Sequence, residues 1–82
     1  MPTIHLSIRY FALLREQRGL SEETLSTAHT NPADLYEALC QQHGLTLTAE
    51  SLQVAINDEF MPWSTPLQDG DTIVFLPPMA GG

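Results

Sequence analysis

Lysine is absent from this 82-residue chain, and its only strongly basic side chains are Arg9, Arg15 and Arg18. Ten acidic residues against those three give a formal charge of -7, which opposes binding to a phosphate backbone or an anionic membrane. A protein partner with basic grooves is the favoured alternative. Cysteine occurs once, as Cys40, so an intrachain disulfide and a thiolate metal cluster are both excluded. No stretch approaches the ~20 apolar residues of a membrane span, and Met1 to Tyr10 alternates where a signal peptide would carry a continuous apolar run. The expected compartment is the cytoplasm. Charge is sparse overall, at 16% of residues, while 43% are hydrophobic; that balance belongs to a folded chain and not to a disordered one. A chain of this length builds one domain around one modest core.

What is present reads as alternating strands around a single helix. Ile4, Leu6, Ile8 and Tyr10 alternate with polar residues, the period of a strand buried on one face. Phe11 to Arg18 reads as a helical turn or short connection stopped by Gly19, and Thr24-Leu25 as a short returning strand. Asn31 as N-cap, Pro32 at the first helical position, Asp34 in the first turn and Gly44 as a stop bracket a helix over 32–43. Leu35 and Leu39, with Ala38 beside them, give it an apolar stripe to lay on the sheet. Leu45 to Ser51 has no clear pattern. Leu52, Val54 and Ile56 alternate again as a third strand, closed by an Asn57-Asp58 turn. Phe60 to Trp63 reads as a short fourth pairing, Pro66 to Asp71 as a turn, and Thr72 to Leu76 as the last strand, halted by Pro77-Pro78.

That order predicts an α+β domain over residues 1–76, a mixed four- to five-stranded sheet with one main helix across one face, followed by a flexible tail over 77–82. One helix covers one face only, yet Ile73 to Leu76 is apolar at every position. Val74 and Leu76 are therefore expected on the uncovered side, as an apolar patch beside the tail.

The tail Pro77-Pro78-Met79-Ala80-Gly81-Gly82 is a semi-rigid stalk with a slender tip. Two successive glycines arise by chance about 0.5% of the time at a given place, so the pair alone is a weak signal; its setting, after a strand and two prolines, is more telling. A carboxylate resists nucleophiles until one oxygen becomes a leaving group, usually through a mixed anhydride with AMP. An enzyme performing that step must enclose the chain end, and glycine lets backbone groups approach closely and leaves the attacked carbonyl unhindered. Attack by sulfur would leave a thiocarboxylate on Gly82.

Four segments carry a resemblance: Phe11-Ala12-Leu13-Leu14-Arg15-Glu16, Val54-Ala55-Ile56-Asn57-Asp58-Glu59, Pro66-Leu67-Gln68-Asp69-Gly70-Asp71 and the tail itself. Together, in order over nearly the whole chain, they resemble the small-subunit family of molybdopterin synthase. The match is most specific in the last fifteen residues and in Phe11 to Glu16, and Met79 stands where that family more often has valine. The resemblance implies a ubiquitin-like β-grasp fold and a carrier cycle. A ubiquitin-activating-type adenylyltransferase would use ATP to adenylate Gly82, a sulfur donor protein would load it, and the tail, Pro77 to Gly81 leading, would thread into the large subunit. There the sulfur would pass to cyclic pyranopterin monophosphate, two small subunits flanking a dimer of large ones. Phe11, Val74 and Leu76 are the expected partner interface, and the chain itself is expected to bind no cofactor. A ubiquitin-like modifier joined through Gly82 to target lysines, and a sulfur carrier for thiazole synthesis, use the same kind of end. The Pro-Pro before the tail leans away from the thiazole type.

Other chemistry-bearing residues have plainer readings. Cys40 lies on the helix without an adjacent cation to lower its pKa, and is expected as a packing residue. His5, His29 and His43 are scattered over different elements and lack a ligand motif, so no metal site is expected; His43 suits the helix C-terminus. Asp69 and Asp71, flanking Gly70, fit turn chemistry. For Phe60 and Trp63 the pattern leaves core and rim equally open.

Overall fold

A computed structural model describes residues 3–77. The chain runs β1 (Ile4–Tyr10), α1 (Leu13–Arg18), β2 (Glu22–Thr27), α2 (Pro32–His43), a 3-10 turn at Ala49–Ser51, β3 (Gln53–Ile56), β4 (Glu59–Phe60) and β5 (Thr72–Leu76). The five strands form one sheet in the order β2-β1-β5-β3-β4. Among the described residues only β1 with β5 is parallel, and the other pairings are antiparallel. The sheet is thus mixed, as expected, and has five strands.

Local chemistry accounts for most boundaries. The Asn31 side chain accepts from the Asp34 amide at 2.9 Å, satisfying one of the free N–H groups at the start of α2. Gly44 closes the helix in the left-handed region, at φ 69°, with its N–H on the Cys40 carbonyl. Asn57 and Asp58 have φ 52° and 72°, the paired positive values of the two-residue hairpin turn that matches strand twist. Ala12 takes φ 54° and ψ -127° in a turn closed by the Leu14 amide on the Phe11 carbonyl, a position where glycine is the comfortable residue.

The sheet buries one face. Leu6, Ile8 and Tyr10 of β1, Ile73 and Phe75 of β5, and Val54 and Ile56 of β3 meet Leu35, Tyr36 and Leu39 of α2. Three aromatic rings pin β5 beneath the helix: Tyr36 lies 5.0 Å from Phe75, and Trp63 stacks on Phe75 at 5.9 Å with the planes 10° apart.

Several sequence expectations change in detail. β2 spans Glu22–Thr27 and pairs with β1 along its whole length, longer than Thr24-Leu25; its polar sequence hides a strand that alternates only in depth. The fourth strand is just Glu59–Phe60, because Pro62 cannot continue a ladder. Residues 45–51 hold Leu45 buried, with Leu47 and Ala49 packed against the core, in a loop too short in period to be read as an element. The tail from Pro78 to Gly82 lies outside the described residues.

Candidate functional site

Alternation on β5 decides where a partner could approach. Ile73 and Phe75 are fully buried under α2, so Thr72, Val74 and Leu76 face the other way and are half-buried. The register then builds a continuous row across the open face: Glu22 opposite Arg9, Arg9 opposite Val74, Val74 opposite Ala55, and Ala55 opposite Phe60. Ala55, a small residue between Val74 and Phe60 in that row, is 7% exposed although no helix covers it. One row nearer the strand exit, Leu76 lies opposite Gln53.

At the row's ends the character differs. Phe60 is 66% exposed, an aromatic ring on an edge strand directly after Asp58 and Glu59. At the other end Arg9 approaches Glu22 at 3.6 Å with both side chains mostly exposed, a contact of small energetic weight. Phe11, one residue beyond the position facing Phe75, is 43% exposed, and Leu13 follows at 40%. Phe11, Val74 and Leu76 thus lie close to the place where β5 ends and Pro77 begins, with Arg9 in the same row as Val74 and the exposed Phe60 at the far edge of that row. Exposed apolar patches mark interaction surfaces.

The structure brings the three expected interface residues, Phe11, Val74 and Leu76, to one face and one end of the sheet. Pro77 is half-buried at the exit. Pro78, Met79, Ala80, Gly81 and Gly82 lie outside the described residues. Sequence reasoning missed Arg9, Ala55 and Phe60 as members of the same face, since a face is set by cross-strand register and register is not local. The Asn57-Asp58 turn, which fixes the pairing of Phe60 with Ala55, was the available signal.

A second feature missed in the sequence lies just under the patch. Arg18 donates through Nε and Nη2 to the two carboxylate oxygens of Glu23, at 2.9 and 2.8 Å, and the Tyr10 hydroxyl donates to Glu23 Oε2 at 2.6 Å. The bidentate Arg18 contact, with the Tyr10 hydroxyl assisting, holds the Glu23 carboxyl below its ordinary range against the opposing cost of burial. Burial, then the Glu23 carboxylate, pushes the Tyr10 phenol well above its usual value. The trio locks α1 to β2 and so fixes the base on which Phe11 stands.

The remaining candidates resolve as packing and turn groups. Cys40 is half-buried against the core. Asp69 accepts from the His5 amide at 2.7 Å and faces its ring nitrogen at 3.1 Å, contacts that lower its pKa. Asp71 accepts from Asn57 Nδ2 and the Gln68 amide, each at 2.9 Å. Both carboxylates are thus spent on holding the 66–71 turn against β1 and β3. Among the described residues, no three of His, Cys, Asp and Glu converge as a metal cage requires, and no helix is long and apolar enough to cross a membrane. Of the two aromatic residues left open, Phe60 is on the exposed sheet face and Trp63 packs on the core.

Comparison with known proteins supplies the family. A family model described as the ThiS family matches residues 8–82. The molybdopterin synthase sulfur carrier subunit of Haemophilus influenzae is 34% identical over 80 residues, covering 94% of this chain and 99% of that protein. Among solved structures, the complex of subunits 1 and 2 of the molybdopterin-converting factor from Helicobacter pylori contains a chain 29% identical, with a TM-score of 0.66 over 96% of this chain and all of that one. Small archaeal modifier protein 1 of Methanosarcina acetivorans superposes with a TM-score of 0.80 at 24% identity, covering both chains fully, and shares the ubiquitin-like β-grasp fold. With a matched span that takes in the last four strands, α2 and the Gly-Gly end, this chain belongs to the ThiS family.

Proposed function

We propose that this chain is the sulfur-carrier small subunit of molybdopterin synthase, acting in the cytoplasm through the carboxylate of Gly82. The observation that carries the reading is the junction of an apolar, open sheet face with the end of β5, Val74 and Leu76 leading directly into Pro77. The curated relative from Haemophilus influenzae, named as such a carrier and aligned over nearly the whole of both chains, supports it. In the cycle proposed, ATP adenylates Gly82 on a ubiquitin-activating-type adenylyltransferase and releases pyrophosphate. Sulfide released by a sulfur donor protein then displaces AMP, so that a C–S bond replaces the C–O bond to phosphate, AMP leaves, and a thiocarboxylate remains. The large synthase subunit grips the open face while the tail, from Pro77 through Pro78, Met79, Ala80 and Gly81, delivers that sulfur to cyclic pyranopterin monophosphate. The chain contributes the carried group and the docking surface, and chemistry at the pterin belongs to the partner.

Two observations test this reading directly. Protein purified from its own host should contain a fraction heavier by one sulfur-for-oxygen exchange, mapping to Gly82. Mixed with the adenylyltransferase and ATP, it should release pyrophosphate, and the chain lacking Gly82 should not. Isopeptide conjugates of Gly82 on other proteins, without any thiocarboxylate, would replace the carrier reading with that of a protein modifier.

A further inference from the structure

β1 and β5 are parallel neighbours, with Ser7 opposite Thr72 and Tyr10 opposite Phe75. Parallel pairing sets the start of the first strand, at Ile4, and the exit of the last, at Leu76, at opposite ends of the sheet. Because Phe75 stands opposite Tyr10, Leu76 lies seven residue levels beyond Ile4, and with a rise of about 3.3 Å per residue the two ends are about 23 Å apart along the strands. Six residues follow Leu76, and their contour is at most about 22 Å. That length covers the exit end of the sheet and falls just short of the Ile4 end. The exit end is where Arg9, Tyr10, Phe11 and Arg15 line a common cavity.

An acyl adenylate or thioester at Gly82 is an electrophile. A neutral amine within reach attacks its carbonyl: a C–N bond forms, the C–O bond to AMP or the C–S bond breaks, and the amine gives up a proton. Lysine, with a pKa of about 10.4, is deprotonated at least about a hundredfold more often than arginine at any pH below both values. An arginine supplies the same positive charge without the nucleophile. The one thiol, Cys40, is half-buried against the core on the helix-covered side of the sheet.

We propose that this carrier is chemically silent toward its own activated end. Arg9 and Arg15 carry the positive charge at the tail exit without a lysine amine, and the parallel β1–β5 pairing keeps the start of the chain's first strand at the far end. The activated Gly82 consequently acylates only an acceptor that a partner brings to it. This inference rests on the Gly82 reading above, but its test bypasses the activating enzyme, so that either can fail alone.

The native chain, Arg9→Lys, Arg15→Lys and Ala28→Lys are each prepared with a small-thiol thioester at Gly82 by intein cleavage. Dilute samples are held at mildly alkaline pH and followed by intact mass and peptide mapping for an internal Gly82 amide, which differs from the hydrolysed chain by one water. Residue 28 adjoins the Ile4–Thr27 end of the sheet and serves as the distant lysine. Arg9→Lys and Arg15→Lys should form the internal amide at least about tenfold faster than the native chain, because a tethered acceptor enjoys a high effective concentration; Ala28→Lys should stay near the native rate. Equal rates for the native chain and both exit-end variants would overturn the proposal. A rate for Ala28→Lys equal to that of Arg15→Lys would overturn its spatial half, leaving composition alone as the protecting feature.

Discussion

Leu39 of α2 is 2% exposed and packs with Leu35 and Tyr36 on the sheet, so truncation leaves a cavity that a small core cannot close. Leu39→Ala should cost about 2 to 5 kcal/mol, measured by chemical denaturation, a large share of the stability of a domain this size. Strain gives the opposite sign at Ala12, whose positive φ suits glycine. Ala12→Gly should stabilise the fold by about 1 kcal/mol, relief of backbone strain outweighing the extra chain entropy of glycine. Glu23 links residue chemistry to pH. Its folded pKa is lowered, chiefly by the Arg18 hydrogen bonds, so its stabilisation is fully present above the unfolded glutamate value of about 4.3 and is lost as pH falls through the folded value. In a pH series of melting temperatures, Glu23→Gln should lower stability near neutrality and flatten the loss below about pH 4.3 relative to the native chain; parallel curves would show the trio to be energetically idle. At this scale the sequence was legible where a residue announces its own geometry, as Asn31, Gly44 and Asn57-Asp58 do. It was silent on Tyr10–Glu23–Arg18, whose members belong to three elements and meet only through the fold.

Among elements, α2 could be read from its caps and β1 from its alternation, since both signals are local and strong. β2 was legible only in part: Glu22–Thr27 has one large apolar side chain, Leu25, and is a strand because β1 offers it a full ladder. β5 was read correctly as apolar on both sides, and the structure explains why. Ile73 and Phe75 meet α2, while Val74 and Leu76 form the open face with Ala55 and Phe60. Val74→Glu and Leu76→Glu should therefore leave the melting temperature within a few degrees of native while weakening binding to the large subunit by tenfold or more, on the order of 1.4 kcal/mol or above, because the new carboxylate is desolvated without a partner. Titration calorimetry with the large subunit measures this. Unfolding of either variant would make the residue part of the core, and native affinity in both would move the interface elsewhere.

For the molecule as a whole, fold and function meet in the central parallel pair, which sends the last strand out of the middle of the sheet beside an exposed apolar patch. The net charge of -7, the absence of lysine and a single thiol half-buried against the core all leave the chain end as the one group suited to carrying sulfur in the account proposed. The most direct test uses a thiocarboxylate installed chemically on Gly82 and mixed with the large subunit and cyclic pyranopterin monophosphate, without ATP or activating enzyme. Molybdopterin should form, with Cys40→Ala as active as the native chain, whereas the chain lacking Gly82, shorter in reach by about 3.3 to 3.6 Å, should fold, bind and yield none. Product formed by a chain extended beyond Gly82 and left unprocessed, or a strict requirement for Cys40, would contradict the account.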